Sequence, residues 1–164
     1  LVPSVRKIST LPLIAAGGIA TGRGMMAAMA LGADGVQIGS RFAISEESSA
    51  HPDFKMMVTK MGEGDTKLAL KKLAPVRLVK NYFFEQVNKA EQEGSSSEQL
   101  KELLGKGRAK IGMFEGNLND GELEIGQVSA IINEILPVKV IMENLVNEFH
   151  EAKNEIGESE KYVF

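Results

Sequence analysis

Two short apolar segments, each ending in a glycine turn, constrain the fold of this chain more than any other feature of its sequence. The first spans Leu11 to Gly18, and its continuous apolar run, Leu13 to Ala16, is typical of a parallel strand covered on both faces. The second spans about Gly35 to Ile38 and ends in Gly39-Ser40. Apolar residues between them recur at helical spacing and predict a helix over roughly Gly22 to Leu31. Strand, helix and strand with short connections form a βαβ unit.

The sheet that these strands predict has no further strands of the same kind within the chain. Two parallel strands leave both edges of a sheet open, and open edges need partners. The chain also begins Leu1-Val2-Pro3-Ser4, without an initiator methionine, and reaches its first strand almost at once. We therefore expect an α/β protein that is incomplete or is an excised piece, with the missing strands supplied from elsewhere.

The residues after the βαβ unit are predicted to be mostly helical. A helix is expected from Pro52 to Met61, whereas Thr66 to Leu73 fits either an extended segment or a loop. Pro75 suits the first position of a helix, and the residues after it recur at spacings of three and four. This core-facing stripe consists of Val76, Val79, Phe83, Val87 and Ala90.

A flexible break, Gly94 to Ser97, separates that helix from the next one. Either Ser95 with Glu98 or Ser96 with Gln99 could form a capping box at the start of the next helix. Further on, Lys101 to Phe114 predicts two short helices divided near Gly105 and Gly107, and Asn117 to Gly121 predicts a turn.

The last predicted helix starts near Pro137, and the tail after Gly157 is expected to fray. The apolar face of this helix consists of Val138, Ile141, Leu145, Phe149 and Ala152. The sequence therefore divides into residues 1–62, which contain the βα units, and a helical C-terminal extension over residues 63–164 that packs on them.

Composition excludes several classes of function. The chain has 164 residues, 43% of them apolar, which is enough for a packed core. Its formal net charge of -3 gives no reason to expect nucleic-acid binding. Without cysteines there is no disulfide, thiolate metal site or thiol nucleophile, and two distant histidines make no metal site. No apolar run is long enough to span a membrane and no signal peptide is evident, so we expect a cytoplasmic protein.

The two glycine turns predict a phosphate-binding site. Gly17 and Gly18 let the backbone turn sharply and approach a ligand without a Cβ in the way, and the helix that follows offers free N–H groups at its positive end. Gly39 and Ser40 can donate backbone N–H groups, and the Ser40 hydroxyl adds a donor. In (β/α)8 barrels the phosphate commonly lies between the loops after strands seven and eight, where two terminal βα units would stand.

Two alternatives remain at these turns. Gly17-Gly18 could serve only as a tight connection from strand to helix, without any ligand. Arg23 or Arg41 could add a charge-assisted bond to the phosphate, or both could be solvated. The glycine spacing does not match a dinucleotide-binding fingerprint.

At these residues the sequence resembles the nitronate monooxygenase and enoyl-ACP reductase II superfamily of FMN enzymes. The resemblance is strongest over Pro12 to Ile19, Gly22 to Gly24, Ala30 to Phe42 and Ala50 to Lys55. Phe54 stands where the family's Ala-His-Pro-x-Tyr-Lys motif has tyrosine. Further segments resemble the reductase branch, and they are Pro75 to Asn81, Glu115 to Asn117 and Gly126-Gln127.

The resemblance implies the C-terminal part of a (β/α)8 barrel, comprising its last two βα units and a helical extension. It also implies FMN as cofactor. By the family pattern the flavin phosphate is held by Gly17, Gly18, Gln37, Ile38, Gly39 and Ser40. Four of these six, Gly17, Gly18, Gly39 and Ser40, are also predicted from the backbone of the two turns. Gln37 could alternatively pack at the barrel rim.

The catalytic histidine of the family lies after an earlier strand, outside this chain, so no catalytic residue is expected here. His51 belongs to the Ala-His-Pro motif and is expected to cap or orient the following helix. His150 lies among charged neighbours on the last helix and is expected at the surface.

The resemblance implies two alternative functions, and the missing strands leave a third open. The first is enoyl-ACP reductase II of fatty acid biosynthesis, with NADH or NADPH as co-substrate and an acyl thioester as substrate. The second is nitronate monooxygenase, which oxidises small alkyl nitronates with oxygen on the same flavin site. The third is a noncatalytic fragment, inactive until it is joined to the rest of its barrel. A homodimer is a possible assembly, and neither a membrane nor nucleic acid is an expected partner.

Overall fold

The computed structural model describes residues 1–158, so the end of the predicted frayed tail lies outside the described residues. The chain forms two compact units. The first contains Leu1–Glu46 and the C-terminal segment from Leu136, and the second is Glu47–Ile135. These bounds differ from the predicted division between residues 62 and 63. That division concerns a complete barrel and its helical extension, and it stays a prediction.

The first unit contains the predicted βαβ motif. Its elements are α1 (Val2–Arg6), β1 (Ile14–Ala16), α2 (Gly22–Ala30), β2 (Gly35–Gln37), α3 (Ser40–Ala43) and α7 (Val138–Glu158). Strands β1 and β2 pair in parallel, with Ile14 opposite Gly35 and Ala16 opposite Gln37. The strands and helix α2 lie where the sequence predicts them, and so does the final helix.

Asp34 ties the start of this sheet to helix α1. The backbone N–H of Leu13 donates to the Asp34 carboxylate over 2.7 Å. The backbone N–H of Asp34 donates in turn to the Leu13 carbonyl, also over 2.7 Å. The Arg6 guanidinium also pairs with the Asp34 carboxylate. The backbone bond from Leu13 and then the Arg6 side chain hold the pKa of the Asp34 carboxyl below its usual value.

Helix α7 packs along α2, and its buried residues are Ile141, Leu145 and Ala152. These three belong to the predicted apolar face, so that prediction is confirmed. Gly22, at the start of α2, is buried against α7, because a Cβ there would overlap the Leu145 carbonyl oxygen and the Phe149 nitrogen.

The second unit contains an antiparallel hairpin and several helices. Its elements are α4 (Pro52–Val58), β3 (Thr66–Ala69), β4 (Val76–Val79), α5 (Tyr82–Gln92), α6 (Ser97–Leu104), a π-helix (Lys110–Phe114) and a 3-10 helix (Gln127–Ile131). The hairpin places Thr66 opposite Val79 and Ala69 opposite Val76. Its core cluster consists of Ala69, Leu70, Leu78, Phe83, Phe84 and Val87.

The predicted helix start at Pro75 is wrong. Residues Val76–Val79 form strand β4, which also bridges to Glu124 through Leu78. Helix α5 begins after Asn81, whose side chain accepts the Phe84 N–H. The spacing of three and four was real, but backbone pairing with Thr66–Ala69 holds its first two members in a strand.

Other local predictions in this unit are confirmed. Ser96 and Gln99 form the capping box of α6, rather than the alternative pair Ser95 and Glu98. The undecided segment from Thr66 is extended as β3. Within residues 1–158, helices that could cross a membrane are absent.

Candidate phosphate site at the strand ends

The parallel register brings the carboxyl ends of β1 and β2 to the same edge of the sheet. Because Ala16 is opposite Gln37, the Gly17-Gly18 turn and the Ile38-Gly39 turn leave the sheet side by side. The structure thus brings together the residues that the sequence predicts for the site. They are Gly17, Gly18, Gln37, Ile38, Gly39 and Ser40.

The first turn needs glycine for its backbone conformation. Gly17 has φ of 90° and Gly18 has φ of 72°, in the left-handed region that other residues adopt only with strain. Both residues are exposed. A Cβ built on either one would meet no atom within 4 Å, so neighbouring atoms do not require glycine here, whereas backbone conformation does.

The second turn has glycine without a conformational reason. Gly39 has φ of -98° and ψ of -68°, which any residue can adopt, and a Cβ built on it would again meet nothing within 4 Å. Its carbonyl accepts the N–H groups of Phe42 and Ala43, which starts helix α3. The missing side chain therefore leaves space beside the strand end.

Together the two turns form an exposed edge lined by backbone. Such an edge lets an anion approach the peptide N–H groups directly, since no Cβ stands in the way at three of its positions. Gln37 is exposed at the end of β2 and Ile38 is half-buried beside it. This geometry fits an anion such as a phosphate group.

Two N–H groups at the start of helix α2, which the sequence predicts to be free, are already engaged. The Gly22 N–H donates to Glu148 Oε2 over 2.6 Å, and the Gly24 N–H donates to Thr21 Oγ1 over 3.1 Å. A side-chain carboxylate from α7 therefore already lies at the positive end of α2. Sequence reasoning missed Glu148, because it stands 126 positions away from Gly22 and no local pattern marks it.

The two arginines considered as phosphate ligands are engaged elsewhere or buried. Arg23 pairs with the Glu155 carboxylate on α7. Arg41 is buried, with 8% of its surface exposed, so it is not a solvated side chain.

His51 caps helix α4, as predicted. The imidazole Nδ1 accepts the backbone N–H of Asp53 over 3.2 Å. The backbone N–H of His51 donates to the Met113 carbonyl over 2.8 Å. Gly116, with φ of 81°, packs on the imidazole so closely that a Cβ would lie 2.5 Å from Nδ1. The Ala-His-Pro and Glu-Gly-Asn motifs thus contact each other, a contact that the sequence did not predict.

His150 is exposed on α7, in agreement with prediction, and its ring stands T-shaped to the Phe149 ring, with the two centroids 5.6 Å apart. Among residues 1–158, groups of three or more side chains suited to binding a metal are absent.

An apolar cavity of about 430 Å³ lies beside β2 in the first unit. Its walls come from α2, β2 and α7, and they include Met29, Val36, Met142 and Val146. Met29, Met142 and Val146 are each more than one third exposed. The cavity thus continues an exposed apolar face next to strand β2.

Comparisons with known proteins agree with this arrangement. A family model described as nitronate monooxygenase matches residues 1–148. A probable nitronate monooxygenase of Bacillus subtilis is 34% identical over 149 residues, covering 90% of this chain and 43% of that protein. A probable nitronate monooxygenase of Staphylococcus aureus is 33% identical over 157 residues, covering 92% and 42%. The chain thus spans less than half the length of these curated relatives.

Solved structures share the fold. FabK from Thermotoga maritima superposes with a TM-score of 0.90 and 39% identity, over 99% of this chain and 51% of FabK. A nitroalkane oxidase from Streptomyces ansochromogenes superposes with a TM-score of 0.78 and 27% identity, over 95% of this chain and 44% of the oxidase. The chain therefore has the α/β fold of these enzymes over nearly its whole length.

Proposed function

This chain belongs to the nitronate monooxygenase family of oxidoreductases, and we propose that it supplies the phosphate end of an FMN site. The observation that carries the proposal is the backbone edge at the ends of β1 and β2. Two glycine turns lie side by side there, and a Cβ at Gly17, Gly18 or Gly39 would stand in open space. A phosphate dianion suits such an edge, because it accepts several peptide N–H bonds at once.

Within this site the backbone N–H groups of Gly17, Gly18, Gly39 and Ser40 would hold the phosphate. Gln37 is exposed at the end of β2, and its amide would contact the cofactor from there. FMN, when bound, supplies the electron transfer, and the protein binds and orients it. No residue of the chain is assigned a catalytic role.

We further propose that β1 and β2 are the last two strands of a (β/α)8 barrel. Two strands leave open edges, and the apolar face beside β2 includes the exposed Met29, Met142 and Val146. The longer relatives have a further part that this chain does not match. Strands from that part would pair with the open edges and cover the apolar face.

For the complete protein we propose the activity of an enoyl-ACP reductase II. The support for this proposal is that the chain is 39% identical to FabK, an enoyl-ACP reductase II, over 99% of its length. It is only 27% identical to the nitroalkane oxidase. The substrate would then be an enoyl thioester and the electron donor NADH or NADPH. The names of the curated relatives favour the second candidate, nitronate monooxygenase, at 34% identity.

An assay on a protein that carries this sequence in a complete barrel separates the two candidates. Under anaerobic conditions, a reductase oxidises more NADH or NADPH than its own flavin can accept only when crotonyl-CoA is present. A monooxygenase consumes oxygen with propyl nitronate and needs no nicotinamide. Oxygen uptake with the nitronate, without thioester reduction, would overturn the reductase proposal and leave the flavin site standing.

The flavin site itself is tested by absorbance. The chain and a chimera, in which it replaces the matching half of Thermotoga maritima FabK, are mixed with FMN and then desalted. We expect the chimera to retain a shifted flavin band, whereas the chain alone, without the remaining strands, binds FMN too weakly to keep it through desalting. A folded chimera that stays colourless contradicts the phosphate assignment, and a flavin band on the chain alone contradicts the need for further strands.

A further inference from the structure

The start of helix α2 is held by α7 rather than by the strands next to it. Gly22 is buried, and a Cβ there would overlap the backbone of Leu145 and Phe149. The Gly22 N–H donates to Glu148 Oε2 over 2.6 Å. Two turns further along α7, Glu155 pairs with Arg23, the residue after Gly22. Helix α7 thus fixes both the position and the direction of the first turn of α2.

The start of α2 is connected to the Gly17-Gly18 turn by only three residues. The first, Ile19, is half-buried and the second, Ala20, is buried. The third, Thr21, caps α2 through the Gly24 N–H. Because none of these residues is a glycine and two of them pack into the unit, a displacement of Gly22 is transmitted to the glycine turn.

We propose that Glu148 is a positioning residue for the flavin-phosphate site. Its carboxylate accepts the Gly22 N–H and thereby holds the end of the loop that carries Gly17 and Gly18. It acts on the phosphate grip through the backbone and does not touch the cofactor itself. This inference rests on the proposed function of the glycine turns.

The hydrogen bond, and not the charge, is what positioning requires. Glutamine keeps an oxygen that accepts the Gly22 N–H, whereas alanine removes the acceptor and leaves that N–H unpaired. A carboxylate that acted by its charge would instead repel the phosphate, so Glu148→Gln would then strengthen FMN binding. The two roles therefore predict different results for the same substitution.

The test compares FMN with riboflavin, which lacks the phosphate. Each flavin is held at micromolar concentration and its fluorescence is followed as the full chain is added in excess, so that weak binding is measurable. The variants are Glu148→Gln, Glu148→Ala and Glu148→Asp, and the matched control is Glu151→Ala, at an exposed position on the same helix. Circular dichroism melting identifies the variants that stay folded.

We expect the unaltered chain to bind FMN more tightly than riboflavin. Glu148→Ala should weaken FMN binding about tenfold, as for the loss of a hydrogen bond to a charged group, and riboflavin binding less than about twofold. Glu148→Asp, which draws the carboxylate back by one methylene, should show a smaller loss in the same direction. Glu148→Gln and Glu151→Ala should leave both affinities unchanged.

Four results would overturn this inference. If a folded Glu148→Ala or Glu148→Asp variant kept the FMN affinity of the unaltered chain, the positioning role would be wrong and the phosphate site would stand. If a variant lost affinity for both flavins equally, Glu148 would have only a general structural role. Tighter FMN binding by Glu148→Gln would show a repulsive charge instead. An unaltered chain that binds both flavins equally would overturn the proposed phosphate site and, with it, this inference.

Discussion

Substitution of Gly39 by valine separates a ligand role from a structural one. Gly39 has φ of -98° and ψ of -68°, and a built Cβ meets nothing within 4 Å, so valine fits the folded chain. The expected cost in the free energy of unfolding is below about 1 kcal/mol, which is typical of losing a permissive residue at a helix start. The branched side chain would instead occupy the space assigned to the phosphate.

The expected effect on FMN is much larger than the effect on folding. One charge-assisted hydrogen bond contributes about 1.5 to 3 kcal/mol, so losing one backbone contact should weaken FMN binding roughly ten- to a hundredfold. Riboflavin binding should change little. Flavin fluorescence titrations measure both affinities, and urea unfolding measures stability.

Gly62→Val provides the matched control. Gly62 also lacks a positive φ, and a Cβ built there lies 3.9 Å from the nearest atom, Asp65 Oδ2, in the second unit. This variant should keep the FMN affinity of the unaltered chain. If folded Gly39→Val protein also kept that affinity, the space beside β2 would not be the phosphate site and the reasoning from the missing side chain would fail.

Three further substitutions test the account of stability, each by urea unfolding. Gly18→Ala should lower the free energy of unfolding by about 1 to 2 kcal/mol, since φ of 72° strains any side chain even in open space; no loss would contradict the left-handed turn. Asn81→Ala should lower it by about 2 to 3 kcal/mol, because the amide caps α5 and donates to two carbonyls of the turn at residues 118–121, whereas Asn81→Ser keeps an oxygen that can cap α5 and should lose less. Burial, and then the neighbouring Glu124, raise the pKa of the Glu122 carboxyl above its usual 4.5. A carboxyl whose pKa is raised by folding contributes to stability below its unfolded-state pKa, and this contribution is lost as pH rises through the folded-state pKa. Glu122→Gln should therefore stabilise the protein at pH 7 and hardly at all at pH 4. An equal effect at both pH values would contradict the raised pKa.

The sequence predicts the βαβ unit well because its signals are local. A continuous apolar run, a glycine turn and an amphipathic helix each arise from neighbours in the chain. The same holds for the capping box of Ser96 and Gln99, which spans three positions. The resemblance then named the six residues that the parallel register brings to one edge.

Features that depend on distant partners could not be read in this way. Residues Val76–Val79 carry a helical spacing, yet they pair with Thr66–Ala69 and form a strand. Glu148 accepts the Gly22 N–H at the start of α2 from the other end of the chain, so the prediction that this N–H is free was wrong. His51 and Gly116 belong to two motifs that the sequence identified separately, and only the structure shows their contact.

The most direct test of the phosphate site is an amide spectrum of the ¹⁵N-labelled chain during titration with FMN. Weak binding still shifts amide signals, so the test does not require a complete barrel. The account predicts the largest shifts at the N–H groups of Gly17, Gly18, Gly39 and Ser40, and much smaller shifts there with riboflavin at the same concentration. Shifts confined to other residues, or equal shifts with both flavins, would contradict the claim that this edge holds the flavin phosphate.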